Sequence, residues 1–151
     1  MDRTAQDEIE LLSFRIGEHE YSVDIMSVRE IRGWTRATSL PHAPFYMHGV
    51  INLRGTVLPV VDLSRRLGLE AEEPTERSVI IVIDFDGRTV GVRVDAVSDI
   101  LSVALDAMQP PPEMLEDGSE RFVSGLIIIE DRMVRVLDLE AVLPSNDEVA
   151  A

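Results

Sequence analysis

The three histidines are the first candidates for chemistry in this sequence, because imidazole binds metals and transfers protons near neutral pH. His19, His42 and His48 lack the His-Glu-x-x-His spacing, and the chain has no cysteine to complete a zinc site. His19 is predicted to be a solvated turn residue. His42 and His48 flank a proline-containing loop, where local roles are favoured over a pH-sensitive pair. We therefore expect no metal site.

The other residue types that support catalysis also lack a recognised context. No glycine-rich loop of the dinucleotide-binding or P-loop type is present, and Ser64 and Ser124 lack a Gly-x-Ser-x-Gly motif. Asp84-Phe-Asp86-Gly87 resembles the start of a calcium loop, but the later loop carboxylates are missing. Asp-Gly between apolar strands instead predicts a type I′ hairpin. We expect no enzymatic activity and no cofactor.

An arginine at the tip of a predicted hairpin is better placed for recognition than for catalysis. Residues 49–63 have the pattern strand, tight turn, strand, with Asn52-Leu-Arg54-Gly55 at the bend. Residues 125–139 repeat this pattern but have Glu130-Asp131 at the bend. Arg54 would either contact a partner or form a salt bridge within the chain, and the sequence leaves both roles open. The matched positions are Gly49 with Gly125, Asp62 with Asp138 and Leu63 with Leu139.

The repeat extends to the strands that precede the two hairpins, since Ile31 aligns with Ile100. The further matched pairs are Val28 with Val97, Glu30 with Asp99, Ile25 with Val94 and Val23 with Val92. Two short helical segments are predicted at residues 24–28 and 62–68, and an acidic connector with a proline at residues 70–76. We therefore predict two related barrels, the first roughly at residues 17–70 and the second roughly at residues 76–140.

Composition narrows the possible functions. Hydrophobic residues make up 45% of the 151 residues and are mostly Val, Ile and Leu, which favours strands. The formal net charge of −14 opposes binding to nucleic acid or anionic lipid. No apolar run approaches about 18 residues, and the polar, acidic N-terminal segment is unlike a secretion signal. We expect a cytoplasmic protein with flexible tails at residues 1–9 and 146–151.

Several longer motifs, in a fixed order, together resemble the CheW family of chemotaxis coupling proteins. The resemblance runs from about Leu11 to Leu143, and it departs at Ser22, where the family often has glycine. The motifs are Phe14-x-x-Gly17, Tyr21-x-Val-Asp24-Ile, Val28-x-Glu-Ile31, Gly49-Val-Ile-Asn-Leu-Arg-Gly55, Pro59-Val-Val-Asp-Leu63, Gly91-Val-x-Val-Asp95-x-Val-Ser-Asp-Ile100 and Gly125-Leu126.

The resemblance implies a mainly β fold: two SH3-like five-stranded β-barrels packed around a shared hydrophobic core, with short helices, in one CheW-like domain at residues 10–146. It implies a non-enzymatic adaptor in a two-component system. The partners would be the cytoplasmic tip of a methyl-accepting chemoreceptor and the regulatory domain of the histidine kinase CheA. The adaptor would be recruited to membrane-associated receptor arrays without inserting into the membrane, and it would let receptors control kinase autophosphorylation.

The resemblance also implies two sets of binding residues. A groove lined by valine and isoleucine would accept the apolar ridge of a helical receptor tip, and Glu30 would set the register at its rim. The alternative interpretations without a binding role are that Glu30 is only solvated and that Val97 and Ile100 belong to the core. The implied receptor-binding residues are Val28, Glu30, Ile31, Arg54, Gly91, Val97 and Ile100, and the implied kinase-binding residues are Glu113 and Met114.

Two other functions are compatible with a pair of barrels. A small-molecule sensor would use the cleft between them, but the sequence offers few convergent polar groups for a ligand. An oligonucleotide-binding barrel would need a basic surface and stacking aromatics, whereas the net charge is −14 and aromatic residues make up 5%. The adaptor is the favoured hypothesis.

Overall fold

Strands dominate the computed structural model, which describes residues 7–70, 73–111, 113–115 and 118–144. The strands are β1 (Glu8–Ile16), β2 (His19–Asp24), β3 (Val28–Gly33), β4 (Met47–Leu53), β5 (Thr56–Asp62), β6 (Val79–Phe85), β7 (Arg88–Val94), β8 (Ala96–Ala104), β9 (Val123–Ile129) and β10 (Arg132–Leu137). The α-helices are α1 (Leu63–Arg66) and α2 (Leu139–Val142), and 3₁₀ turns cover Ile25–Ser27, Leu105–Ala107 and Glu120–Phe122. Among the described residues, no helix is long and apolar enough to span a bilayer.

The ten strands form two five-stranded sheets with matching topology. Sheet A has the order β8-β1-β2-β10-β9, and sheet B has the order β3-β6-β7-β5-β4. Neighbouring strands are antiparallel except for the parallel pairs β2–β10 and β5–β7. Isolated bridges from Thr38 to Val50 and from Gln109 to Leu126 link the segment after each first edge strand to the strand at the opposite edge. The predicted mainly β fold with two five-stranded units is confirmed.

The sequence repeat is present in the structure, but each repeat does not form its own barrel. Strands β1–β5 correspond in order to β6–β10, and the two runs exchange their first two strands: β1 and β2 join sheet A, whereas β6 and β7 join sheet B. The predicted division into barrels at 17–70 and 76–140 is therefore wrong. The β6–β7 hairpin pairs with β3 and β5 instead of with β8–β10. Hydrophobic pattern does not specify which sheet a strand joins, because both sheets offer similar apolar faces and free edges.

A shared hydrophobic core holds the two sheets together. Its buried side chains come from both sheets, including Phe14 and Tyr21 of sheet A and Val61 of sheet B. Strand β6 shows the arrangement most clearly, because alternate residues of a strand point to opposite faces. Ile81 lies in the shared core, while Ile80 lies in a separate cluster inside sheet B. The apolar run at residues 79–83 is therefore buried on both faces.

Local signals in the sequence also match the structure. The Asp62 side chain caps α1 by accepting a hydrogen bond from the Ser64 amide at 3.1 Å, and Gly68 follows the helix with φ 79°. Asp86 and Gly87 have φ values of 53° and 76°, which confirms the type I′ turn. Strand β1 starts at Glu8, so the predicted N-terminal tail is too long. Residues 1–6 of that tail and the predicted C-terminal tail lie outside the described residues.

Candidate functional site

Strand β3 at the edge of sheet B carries the three residues expected to contact a receptor. Val28 is half-buried and packs against the shared core. Glu30 is half-buried, and Ile31 is 48% exposed, which is unusual for a large aliphatic side chain in a strand. A bulge between Val28 and Glu30 shifts the pairing of β3 with β6, so charged and apolar side chains share this edge. The strand presents a mixed surface to solvent.

Arg54 completes this edge by forming an ion pair with Glu30. The arginine lies in the tight turn between β4 and β5 with φ 50°, followed by Gly55 with φ 85°. The Gly55 amide donates to the Asn52 side chain at 2.8 Å, which supports this left-handed turn. Arg54 Nη2 donates to Glu30 Oε2, and Arg32 Nη1 approaches the other carboxylate oxygen at 3.4 Å. The intramolecular role for Arg54 is therefore realised in this structure.

The electrostatics of the pair favour an ionised Glu30. The hydrogen bond from Arg54 lowers the pKa of Glu30, with a further contribution from Arg32, and together they outweigh partial desolvation. The side chain of Arg54 remains 68% exposed and that of Glu30 24% exposed. An exposed pair of this kind orients side chains more than it stabilises the fold. The two arginine partners therefore hold the ionised Glu30 side chain in position at the edge of the sheet.

Strand β8 forms the corresponding edge of sheet A and places the second set of predicted residues. Val97 is half-buried and packs against the shared core, as Val28 does. Ile100 is 58% exposed, and Ile31 is its match in the repeat. Asp99, the match of Glu30, is also exposed. Both sheets thus carry an edge strand with a half-buried valine, a carboxylate and an exposed isoleucine.

Three predicted site residues have other environments. Gly91 is buried in β7, where an added Cβ would lie 2.9 Å from Ile80 Cγ2 and 3.2 Å from Leu58 Cδ2. Its lack of a side chain is a packing requirement, and its contribution to a receptor groove stays a prediction. Glu113 and Met114 are exposed, Met114 by 80%, in a segment without a strand or helix assignment. The structure brings neither of them to the β3 edge strand.

A buried charge cluster around Asp62 was missed by the sequence interpretation. Asp62 is 1% exposed, and its carboxylate lies 3.4 Å from Arg93 Nη1 and 3.5 Å from Arg65 Nε. His48 Nε2 approaches the same carboxylate at 3.2 Å, out of line for a hydrogen bond. The imidazole also contacts the Trp34 ring edge-on. His48 thus belongs to strand β4 and not to the preceding loop. Counting residues back from the Arg54 turn would have placed it in this strand.

The surroundings of Asp62 hold its carboxylate ionised although it is buried. Burial alone would raise its pKa, but His48, Ser64 and Arg93 lower the pKa to about 2. The cluster joins β4, β5 and β7 at the start of α1. In the described part of the chain, no group of three or more His, Cys, Asp or Glu side chains is arranged to hold a metal. The arrangement serves to anchor secondary structure.

The sequence and the fold of this chain are similar to those of known proteins. The model of the CheW-like domain matches residues 10–147. The chain is 54% identical over 142 residues to "Chemotaxis protein CheW" of Rhizobium meliloti (strain 1021), covering 94% of this chain and 92% of the relative. It is 51% identical over 146 residues to "Probable chemotaxis protein CheW" of Rhizobium etli, covering 97% and 94%. The crystal structure of the scaffolding protein TtCheW from Thermoanaerobacter tengcongensis superposes with a TM-score of 0.84 at 30% identity, covering 91% of this chain and 94% of that one.

Proposed function

The chain belongs to the family of CheW-like domain proteins, and we propose that it acts as a non-enzymatic chemotaxis adaptor. It couples the cytoplasmic tips of chemoreceptors to the histidine kinase CheA and so lets the receptors control kinase autophosphorylation. The match to the family covers residues 10–147, which includes all but the first two residues of β1, every other strand and both helices. The name of the solved relative, a scaffolding protein, supports a role in assembly.

The observation that carries the proposal is the edge of sheet B. There, Ile31 is exposed beside a carboxylate that Arg54 and Arg32 hold in place. An exposed aliphatic side chain with an oriented charge at its rim suits a protein partner better than a small substrate. The matched edge of sheet A, with exposed Ile100, carries the same combination of side chains.

For the receptor contact, we propose that β3 and β8 form the two sides of one docking surface for a helical receptor tip. Val28 and Val97 form its floor, since both pack against the shared core, and Ile31 and Ile100 provide apolar contacts on either side. Glu30 pairs with a basic residue of the receptor and so fixes the register of binding. The Glu30–Arg54 contact holds the carboxylate in position before the receptor binds.

For the kinase contact, we propose that the exposed Glu113 and Met114 take part in binding the regulatory domain of CheA. The 80% exposure of Met114 supports a contact role, because a flexible thioether adapts to an apolar partner surface. We further propose that the protein acts in the cytoplasm and is recruited to receptor arrays at the membrane by these protein contacts.

The test is reconstituted CheA autophosphorylation with a receptor signalling fragment, measured with and without this protein. We expect kinase activation that depends on the protein, and loss of most of that activation with Glu30→Lys. The matched control is Glu140→Lys, which reverses another exposed carboxylate paired with an arginine, at 3.7 Å on α2. Thermal unfolding must remain cooperative in both variants, since Glu30 is a surface residue.

The possible outcomes separate the parts of the proposal. If the folded protein fails to alter kinase activity with its cognate partners, the coupling function is wrong. If Glu140→Lys disrupts coupling as strongly as Glu30→Lys, the adaptor role stands but the β3 surface is not the receptor contact. Receptor pull-down with Asp99→Lys then tests whether the β8 edge takes part.

A further inference from the structure

A cavity of about 260 Å³ lies where the two sheets meet, away from the exposed isoleucines of the two edge strands. Arg15 and Gly17, from β1 and the turn after it, line one side of the cavity, and Ser78 and Arg93 from the sheet B side line another. Thr75, Arg77 and Glu73 of the segment before β6, together with Asp95 and Ala96, complete the wall. The cavity is thus built from both sheets and the connection between the repeats.

Two of the arginines at this cavity have no side-chain partner among the described residues. The side chains of Arg15 and Arg77 form no hydrogen bond or ion pair with any residue in the described part of the chain. This is unexpected in a chain with 28 acidic and 14 basic residues, where most cations would find a carboxylate. Both arginines are exposed, and they reach the cavity from different parts of the fold.

The floor of the cavity supplies a third guanidinium group. Arg93 is 1% exposed and contacts Asp62 and Asp95 at 3.4 Å through its two terminal nitrogens. Its buried Nε has no hydrogen-bond partner among the described residues. A buried guanidinium nitrogen without an acceptor carries a desolvation cost, which an anionic ligand would remove.

The hydroxyl groups at the cavity can also donate hydrogen bonds to a ligand. Ser78 Oγ accepts from the Thr75 amide at 2.9 Å and from Arg93 Nη2 at 3.3 Å, so its own proton is left to donate. Thr75 Oγ1 accepts from the Arg77 amide at 3.1 Å and likewise keeps its proton. The described residues thus offer this cavity more donors than acceptors.

The acidic residues at the cavity do not cancel this surplus. Asp95 is already engaged, since its Oδ2 accepts from the Gly17 amide at 2.7 Å and its Oδ1 contacts Arg93. Glu73 is exposed at the rim. Three arginines and two carboxylates line the cavity, and Arg15 and Arg77 are left without a carboxylate partner among the described residues.

We propose that this cavity binds a phosphate-class oxyanion, either inorganic phosphate or the phosphate group of a small metabolite. Planar guanidinium groups bind phosphate oxygens with two parallel hydrogen bonds, and serine and threonine hydroxyls add single donors. The anion joins Arg15 of sheet A to Arg77 and Arg93, so it bridges the two sheets. Its binding therefore stabilises their relative position. This role is independent of the adaptor function.

The experiment measures thermal unfolding and backbone amide shifts of the full chain during titration with inorganic phosphate. Chloride at matched ionic strength is the reference for non-specific charge screening. We expect a saturable rise in melting temperature with phosphate only, since a ligand that binds the folded state shifts unfolding by mass action. The amides of Gly17, Ser78, Asp95 and Ala96 should shift together, and that of Gly55 should not.

Matched variants locate the effect. Arg15→Gln and Arg77→Gln each remove one unpaired, exposed guanidinium and should weaken phosphate binding at least about tenfold, because each removes charge-assisted hydrogen bonds. Arg36→Gln is the control, since Arg36 is also exposed and forms no ion pair with the described residues but lies outside the cavity. It should bind phosphate as the unchanged protein does.

Further ligands decide the chemical class. Glycerol 3-phosphate tests whether a phosphate monoester binds more tightly than free phosphate, and succinate tests a dicarboxylate of similar charge. Equal stabilisation by chloride and phosphate, or equal binding by succinate, would overturn the proposal. Phosphate binding that survives both Arg15→Gln and Arg77→Gln would place the anion elsewhere and would also overturn it.

Discussion

The two edge strands that match in the repeat hold their carboxylates in different ways. In sheet B, Glu30 pairs with Arg54 at the tip of the β4–β5 turn. In sheet A, the matched Asp99 lies 3.8 Å from Arg132, which follows the β9–β10 turn, whose tip carries Glu130 where the first hairpin has Arg54. The strand geometry is the same in both copies of the repeat. The arginine that pairs with the carboxylate comes from a different position in each copy.

The difference extends to how firmly each arginine is bound. Arg132 also donates to Glu20, through its Nε at 3.1 Å and through Nη2, and the Glu20 side chain is only 8% exposed. Arg54 has an exposed carboxylate partner and is itself largely exposed. One hairpin therefore uses its arginine to satisfy a buried acid, and the other leaves its arginine available to exchange partners. This teaches that the repeat conserves the backbone while the polar contacts of its two copies serve different purposes.

The two aspartates that cap the helices show the same divergence. Asp62 caps α1 and is surrounded by His48, Arg65 and Arg93. Asp138 caps α2 by accepting from the Glu140 amide at 3.0 Å and is only half-buried. The two aspartates are identical and occupy matched positions of the repeat, but they differ in the charged side chains that surround them.

The largest expected difference between the two halves is the cost of removing these caps. Asp62→Ala should destabilise the protein by about 3–5 kcal/mol, since it leaves the buried Arg93 without its carboxylate. Asp138→Ala should cost about 1 kcal/mol, the usual effect of losing a helix cap. Denaturant unfolding of both variants measures the difference. Equal losses would mean that the Asp62 cluster adds nothing beyond the cap.

Truncating a core side chain should lower the free energy of unfolding far more than truncating an exposed one. Leu137 is 5% exposed and belongs to the shared core, so Leu137→Ala should cost about 2–5 kcal/mol. Ile128→Ala on the neighbouring strand, at a side chain that is 51% exposed, should change stability by less than about 0.5 kcal/mol. Urea titration measures both. A loss below about 1 kcal/mol for Leu137→Ala would contradict its role in joining the sheets.

Acid should weaken the protein through Asp62. The pKa of Asp62 is about 2 in the folded state, below the value of an unfolded aspartate, so its contribution is complete above the unfolded value and is lost as pH falls through 2. The loss amounts to about 2 kcal/mol. Stability measured from pH 6 to pH 2 should fall less steeply in Asp62→Asn. An unchanged slope would show that other carboxylates dominate acid unfolding.

The smallest difference is expected between the two hairpin arginines. Arg132→Ala should cost about 1–3 kcal/mol, because the buried Glu20 carboxylate loses its donors. Arg54→Ala should cost less, since Glu30 keeps Arg32 and contact with solvent. Chemical unfolding of the two variants ranks them. A larger loss for Arg54→Ala would mean that the β4–β5 turn depends on its arginine for folding.

Much of the local structure could be predicted from the residues alone. The apolar runs indicated β6 and β7, the Asp-Gly pair indicated their turn, and Asp62 indicated the short helix α1. These signals act over a few residues and depend on backbone geometry, which is why they are readable. The alternation at residues 28–31 indicated an edge strand, and the family resemblance implied that Ile31 contacts a receptor.

The functional interpretation was less complete where residues distant in sequence meet. His48 was assigned a role in the loop, although it contacts Asp62 across a hairpin, and the sequence did not indicate that Gly91 packs against Ile80. Both observations concern contacts between strands. A pattern along the chain reports which face a residue takes, but not what lies opposite that face.

The sequence by itself determined the strand content, the repeat, the short helix that follows Asp62 and the acidic character of the surface. These follow from side-chain size, polarity and spacing, which act within each segment. The tertiary structure alone decided that the repeats exchange strands, that Arg93 is buried between two carboxylates, and that Arg15 and Arg77 meet at one cavity. Pairing between distant strands depends on the combined burial and hydrogen bonding of the whole chain, so it is fixed only when the two sheets pack together.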